Sequence, residues 1–320
     1  MFKIALAALF LSLAVPAFAE EPPQKILGWT KTANLGLNLS FTSSNSVVGQ
    51  SDGSSQTYGA NLKSGWNHVT EKDEWRNTLS YIGATTRTPS VPRYLKSSDE
   101  LKLESIYLYS LPNHPDIGPY VRGEAAAPMF KGEDVQSTPK TYHVSRSNQA
   151  DQLVAASSLR LTDGFKPLTT KEAAGFFWKA VQKENLKVEA RAGIAALQIN
   201  ANGQLTVGGP NAAGELQVKE LRDVNQTGVE LALTAKGKID EKSSYEAGIE
   251  TMTPLINNKL KGDRRTSTEL TNVDGYAKLT SNITSWASFA YDYKLKIQPQ
   301  LQVRAQQIHM LVLNVNYNLF

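Results

Sequence analysis

Apolar and polar residues alternate along most of this chain, and this period of two constrains its fold more than any other feature. From Ala33 to Thr42, apolar side chains occupy every second position from Leu35 onward, with small or polar residues between them. Successive side chains of a β-strand point to opposite faces, so each such segment predicts a strand with one apolar face. We predict about twelve strands, near residues 32–42, 56–68, 74–85, 99–111, 116–129, 150–162, 185–198, 226–239, 243–255, 267–281, 284–296 and 307–319.

The connections between these strands alternate in length. Short ones fall at 70–73, 112–116, 239–243 and 281–284, and long ones at 43–55, 86–98, 131–149, 199–225, 256–266 and 296–306. Outer-membrane barrels join their strands by short periplasmic turns and longer external loops. A soluble sandwich with Greek-key crossovers would not keep this order. The sequence therefore predicts an all-β fold, a transmembrane up-and-down antiparallel β-barrel.

Composition excludes several other classes of protein. The 320 residues are 41% hydrophobic, which does not supply the long apolar runs of a multispan helical membrane protein. The absence of cysteine excludes disulfides, zinc fingers and a thiol nucleophile. With 34 basic and 30 acidic residues, the chain is not basic enough to predict a nucleic-acid partner.

The first residues read as an export signal. Lys3 precedes an apolar stretch at 4–15, and Ala17-Phe18-Ala19 forms a small-x-small cleavage site. We therefore predict a signal peptide at 1–19, a single barrel domain at 20–320, and a location in the bacterial outer membrane.

With twelve strands, the segment from Asp163 to Lys183 has to be a periplasmic connection, but its residues support two interpretations. Thr169-x-x-Glu172 reads as a capping box before apolar residues at helical spacing, which predicts a short periplasmic helix at 170–182. Alternatively, Lys171 to Val181 is a strand, and parity then requires another at 204–221, for about fourteen in all. We favour twelve because Gly208-Gly209-Pro210 and Gly214 interrupt the second region.

The two faces of the predicted strands suit a membrane barrel. Aromatic residues lie at or near strand ends, where interfacial girdles belong: Trp66, Trp75, Tyr81, Tyr107, Tyr109, Tyr291, Tyr293 and Tyr317. Charged residues occupy the opposite face, which looks into the lumen. The predicted lumen-lining residues are Lys102, Glu104, Arg122, Glu124, Glu189, Arg191, Glu230, Glu246 and Glu250.

No catalytic, cofactor or metal site is predicted. His309 opens the last strand, where an outer-membrane lipid hydrolase could carry its base, but the sequence has no G-x-S-x-G nucleophile motif. His143 has no second histidine at i+3 or i+4. Glu133-Asp134 fails the calcium-loop pattern. We expect a protein that is not an enzyme.

A family resemblance rests on strand motifs. These are Gly28-Trp29, Asn34-x-Gly36-x-Asn38-x-Ser40, Trp75-x-Asn77-x-Leu79 and Lys96-Ser97-Ser98-Asp99-Glu100-Leu101. They resemble uncharacterised bacterial outer-membrane barrels, classified as domains of unknown function, which are similar to the salt-induced outer membrane protein family. The resemblance implies an outer-membrane barrel and brings no catalytic residue.

Two features suggest partners. Tyr317-Asn318-Leu319-Phe320 resembles the terminal signature that barrels present to their insertion machinery, although Phe320 lies one place out of phase with the apolar row. The basic segment from Lys259 to Arg265 is open to contact with lipopolysaccharide phosphates, but an ordinary solvated loop is favoured. Outer-membrane lipid and lipopolysaccharide are the expected surroundings.

Two main functions remain open at this stage. One is a narrow polar channel or a largely closed barrel, depending on whether the lumen charges pair with one another. The other is a structural or adhesive surface protein that binds partners through its external loops. A lipid hydrolase is a remote third.

Overall fold

The structure is a computed structural model that describes residues 27–44, 53–89, 91–259, 262–284, 286–302, 305–315 and 317–318. The predicted signal peptide and the terminal Leu319-Phe320 lie outside the described residues. The strands are β1 (Gly28–Ser44), β2 (Gly53–Val69), β3 (Asp73–Thr88), β4 (Val91–Tyr109), β5 (Ile117–Ala127), β6 (Gly132–Ser145), β7 (Gln152–Thr162), β8 (Leu168–Gln182), β9 (Lys187–Asn200), β10 (Leu205–Pro210), β11 (Leu216–Glu220), β12 (Val224–Lys238), β13 (Ser243–Asn257), β14 (Asn272–Asn282), β15 (Ala287–Ile297), β16 (Gln306–Val315) and β17 (Tyr317–Asn318).

Most of these strands form one antiparallel sheet that closes on itself. Its order is β16-β15-β14-β13-β12-β9-β8-β5-β4-β3-β2-β1-β17. The short β17 follows β16 after a single residue and pairs with β1, Asn34 opposite Asn318 and Leu35 opposite Tyr317. Counting β16 and β17 as one strand, the cylinder has twelve strands in up-and-down order. The predicted barrel and strand number are confirmed.

The outward face of the barrel is apolar and the inward face carries the charges. In β12, Val229 and Leu231 are 41% and 55% exposed, whereas Glu230 between them is fully buried. A water-soluble barrel would place these residues the other way round. Large apolar side chains are exposed in the same way around the barrel, at Trp29, Leu35, Leu37, Leu39, Leu103, Val121, Phe176, Trp178, Ile194, Leu233, Leu279, Phe289, Leu311 and Leu313.

The two ends of the barrel differ, and we name them by their connections. At the turn end, short connections join β2 to β3, β4 to β5, β8 to β9, β12 to β13 and β14 to β15. The loop end carries the other connections. There the long loop predicted at 86–98 is wrong, since β3 and β4 stay paired as far as Thr88 and Val91. Polar residues here continue the ladder because backbone pairing does not require an apolar side chain.

Exposed aromatic side chains with polar partners lie near the turn end. The Trp75 indole nitrogen donates to the Ser105 hydroxyl at 2.9 Å, and the Tyr107 hydroxyl donates to Asp73 at 2.8 Å. Such rings, apolar in body and polar at the tip, suit a membrane interface. Within the part of the chain described, no helix has the length and apolarity needed to cross a membrane.

The helix predicted at 170–182 is wrong, because β8 occupies this segment. Phe176 and Trp178 point outward, whereas Phe177 is buried inside the barrel. The spacing of Ala173, Phe177 and Val181 fits a helix. Ala174, Phe176 and Trp178 in the same segment also occupy every second position, and pairing with β5 and β9 decides in favour of the strand. Residues 163–167, predicted to be periplasmic, therefore lie at the loop end.

A second sheet, β10-β11-β6-β7, is built from the two longest connections at the loop end. The strand predicted at 150–162 exists as β7. The prediction that it belongs to the barrel is wrong, because β7 lies in this second sheet. The region 204–221, suspected as a barrel strand in the fourteen-strand alternative, forms β10 and β11 here. Parallel pairing of β11 with β6 joins the two connections. Tyr142, Val144, Leu205 and Val218 form a small buried core, which explains why these segments alternate without facing lipid.

Candidate functional site: the charged lumen

Eight charged side chains meet inside the barrel, and we call them the central cluster. Four are basic and four acidic, so their formal charges balance. They are Lys102, Glu104, Arg122, Glu124, Lys171, Arg191, Glu230 and Glu250.

Arg122 on β5 is the hub of the central cluster. Its side chain is 4% exposed, and its guanidinium nitrogens lie 2.9 Å from a Glu104 oxygen and 2.7 Å from a Glu250 oxygen. It also contacts Glu124 directly, and a Glu230 oxygen lies 3.8 Å away. One guanidinium therefore links strands β4, β5, β12 and β13. The planar fork of arginine suits this task better than the single ammonium of lysine.

Lys171 on β8 supplies the second cation of this hub. Its ammonium lies 2.7 Å from a Glu230 oxygen and contacts Glu250. The other Glu230 oxygen accepts a hydrogen bond from the Tyr120 hydroxyl at 3.1 Å. A buried carboxylate is tolerated where charges and donors of this kind surround it.

Lys102 and Arg191 complete the central cluster. The Lys102 ammonium lies 3.0 Å from Glu124 and 3.6 Å from Glu104. Arg191 lies 3.8 Å from Glu250, and its guanidinium sits 5.8 Å from the Tyr120 ring centroid.

A second group of balanced charges lies nearer the turn end. Arg76 contacts Glu74 at 2.8 Å and Glu189 at 2.9 Å, and Lys179 contacts Glu74 at 2.8 Å. Two acids and two bases on strands β3, β8 and β9 therefore pair across the interior.

Ion pairs also join walls of the barrel that lie nearly opposite one another. The Lys294 ammonium on β15 lies 2.6 Å from Glu100 on β4, and Lys63 on β2 lies 3.8 Å from Glu246 on β13. In each case the strands are far apart in the order of the closed sheet. Paired side chains therefore reach across the lumen, which is narrow for a twelve-stranded barrel.

Apolar side chains fill much of the remaining interior. Leu108, Tyr120 and Phe177 are buried inward toward the turn end, and Leu197 and Met252 toward the loop end. Where β8 meets β9, Gly175 opposes Gly193, and a Cβ on Gly175 would come within 2.1 Å of the Ala192 carbonyl oxygen. The two strands approach closely at this point, as glycine allows.

The structure places all nine predicted lumen residues on the inward face. Seven belong to the central cluster, while Glu189 pairs with Arg76 and Glu246 with Lys63. Sequence reasoning missed Lys171 because a helix was expected there, and it missed Arg76, Glu74 and Lys179. The available signal was the alternation along each strand, since each of these residues lies on the face opposite the outward apolar row.

The histidine considered for catalysis contacts two tyrosines of β15. His309 Nδ1 lies 2.8 Å from the Tyr291 hydroxyl, and its ring centroid is 4.8 Å from that of Tyr293. The described residues contain no group of three or more histidines, cysteines or acids arranged to hold a metal ion.

The histidine of the second sheet bridges its two connections. His143 Nε2 lies 2.9 Å from Asp151, and Nδ1 lies 3.3 Å from Glu215. Hydrogen bonds to these two carboxylates raise the pKa of His143 above its ordinary value. At the other end of β6, the Lys131 ammonium lies 2.7 Å from Glu133 and lowers the pKa of that carboxyl.

In the basic loop at 259–265, Arg265 already donates hydrogen bonds to groups within the protein. Arg265 donates to both carboxylate oxygens of Asp263 and to the Pro299 carbonyl at 2.6 Å. These hydrogen bonds lower the pKa of Asp263 to about 2. Residues 260–261 lie outside the described part of the chain.

Neither a protein-family model nor a curated protein matches the chain. Among solved structures, it is similar to the translocator domain of the autotransporter NalP from Neisseria meningitidis, with 13% identity, TM-score 0.39, and 92% of this chain and 90% of that chain covered. It is also similar to an outer membrane channel from Pseudomonas putida F1, with 10% identity, TM-score 0.44 and coverages of 94% and 99%. A third is the outer membrane channel DcaP of Acinetobacter baumannii, with 7% identity, TM-score 0.33 and coverages of 92% and 100%. At these values, the likenesses carry no functional argument.

Proposed function

We propose that the protein is an outer-membrane channel whose lumen is held nearly closed at its middle by the central cluster. The outward apolar face supports a place in lipid, and the predicted signal peptide supports export. No enzymatic role is proposed.

The observation that carries the proposal is the contact between Arg122 and Glu250. These residues stand on β5 and β13, which are separated in the barrel by β8, β9 and β12. Their side chains nevertheless meet at 2.7 Å. Such a contact leaves little free cross-section, so only small polar solutes would pass. Loosening the contact would widen the path.

Planar-bilayer recordings of the purified protein test this proposal. The double variant R122Q/E250Q removes one charge of each sign, so the lumen stays neutral while its cross-strand link is lost. We expect small or rare current steps from the wild type and larger steps from the variant. A matched control is K131Q/E133Q, which removes a pair at 2.7 Å outside the barrel and should leave the conductance unchanged.

Folding is checked separately by comparing boiled and unboiled samples on a gel, since a closed barrel that resists detergent migrates differently from the unfolded chain. A silent wild type together with a silent, folded R122Q/E250Q would contradict the channel and favour the structural or adhesive alternative. Recovery of the wild type in the soluble periplasmic fraction would contradict the membrane location.

A further inference from the structure

A row of charged residues crosses the strands near the turn end, and two neighbours in it carry the same charge. Lys187 on β9 is the register partner of Lys236 on β12, which in turn opposes Glu246 on β13. Glu246 opposes Lys278, and Lys278 opposes Asp292. Like charges directly opposite each other destabilise a sheet. The Lys187–Lys236 pair therefore destabilises the sheet locally, whereas the other neighbours in the row carry opposite charges.

These lysines line a cavity of about 340 Å³, which we call the vestibule. Its charged lining consists of Lys63, Lys187, Lys236, Lys278, Glu184 and Glu246. Four ammonium groups thus face two carboxylates. The vestibule is positive, although the barrel interior next to it is balanced.

The carboxylates of the vestibule are already engaged. Glu184 lies 2.9 Å from Lys238, and Glu246 lies 3.8 Å from Lys63 and accepts a hydrogen bond from the Tyr276 hydroxyl at 3.2 Å. Among the residues that the structure describes, no carboxylate lies within ion-pair distance of Lys187 or Lys236. Two lysines in direct register therefore line one water-accessible space without a carboxylate partner.

From this arrangement, we propose that the vestibule binds a small multivalent oxyanion of the phosphate class. A phosphate presents several acceptor oxygens and up to two negative charges, which suits a cross-strand pair of lysines with further lysines lining the same cavity. A monovalent anion such as chloride would offset only one of the two charges. Only the idea that this anion is a solute of the channel rests on the proposed function. Binding of the anion to the vestibule does not require conduction.

Equilibrium binding of orthophosphate to the detergent-folded full chain tests the site. We expect saturable binding at low ionic strength that weakens as salt screens the lysines. The variant K187Q/K236Q should weaken this binding by at least about tenfold, since two charge-assisted contacts are lost. The matched control K140Q/K219Q removes two exposed lysines from the second sheet and should bind like the wild type.

A second probe separates soluble phosphate from a lipid headgroup. Dihexanoyl phosphatidic acid carries the same group on a short lipid, and it should not bind more tightly than orthophosphate at a site inside the lumen. If K187Q/K236Q does not fold, K278Q provides the comparison, with a smaller loss expected.

Absence of saturable phosphate binding by the wild type would overturn the inference, as would equal binding by K187Q/K236Q. Tighter binding of the short lipid, lost in the same variant, would also overturn it by assigning the lysines to a headgroup. Conductance in potassium chloride reports on the channel independently, so either proposal can fail while the other stands.

Discussion

Arg122 and Glu250 are expected to stabilise the barrel as a coupled pair, and a double-mutant cycle measures that coupling. At about 4 Å between charge centres and an effective dielectric constant of about 20, an ion pair contributes about 4 kcal/mol before desolvation is subtracted. Glu250 keeps two other cations, Lys171 and Arg191, when Arg122 is lost. We therefore expect a coupling free energy of about 1–2 kcal/mol, within the range for contacting residues.

The single changes should cost more than the coupling alone. R122Q leaves four carboxylates facing three cations, so we expect it to lower the free energy of unfolding by about 3 kcal/mol. The assay is urea unfolding of the vesicle-inserted barrel, followed by tryptophan fluorescence, under conditions where folding and unfolding curves coincide.

The control cycle uses Lys131 and Glu133, whose atoms are equally close but lie outside the barrel. Its coupling should stay below about 0.5 kcal/mol, as for exposed pairs. A coupling for Arg122 and Glu250 no larger than that of the control would refute the reasoning, because it would mean that water already screens the central cluster.

Two further predictions concern the second sheet and the outer face. The raised pKa of His143 means that its bridge to Asp151 and Glu215 is fully present below pH about 6.5 and is lost as pH rises through the folded-state pKa. Hydrogen exchange in β11 should therefore quicken with rising pH beyond its intrinsic dependence, and H143Q should remove this excess; an unchanged excess in H143Q would contradict the bridge. L231R should lower the free energy of unfolding in vesicles by about 2–4 kcal/mol, because it places a charge in lipid. A cost near zero would mean that Leu231 faces water.

The barrel was predictable because its main determinant is local. The alternation within β12 or β15 is visible in ten residues, and the short turns set the antiparallel order. The predicted total of twelve agrees with the barrel because the misplaced strand at 150–162 is offset by the missed strand β8. The helix predicted at 170–182 failed because the segment fits both periods: Ala173, Ala174, Phe177 and Val181 have helical spacing, whereas Ala174, Phe176 and Trp178 occupy every second position. Only the hydrogen-bond partners β5 and β9, distant in sequence, distinguish the two.

The second sheet shows a related limit. An alternating pattern such as that of β7 reports that one face is apolar, but not whether lipid or a small protein core covers it. The apolar face of β7 is shared with a core around Tyr142 and Val218, from two separate connections. Parallel pairing of β6 with β11 is a long-range contact that no local pattern reveals.

For the lumen, the alternation along each strand indicated which residues point inward. It did not indicate which of these residues contact one another. Glu246 and Glu250 look equivalent along β13, yet one faces the vestibule and the other joins the central cluster. Their partners come from across the barrel, so strand tilt and register decide the pairing. The facing lysines of β9 and β12 likewise emerge only from the register.

The central claim is that the apolar rows contact lipid while the alternate rows line the interior. The chain has no cysteine, so single cysteines can be placed along β12 from residue 229 to 236 and labelled with a nitroxide in vesicle-inserted protein. Labels at Val229, Leu231 and Leu233 should be accessible to oxygen and shielded from a water-soluble nickel complex, and those at the alternate positions should lack this oxygen signal. Equal nickel accessibility along the strand, with no period of two, would contradict the account.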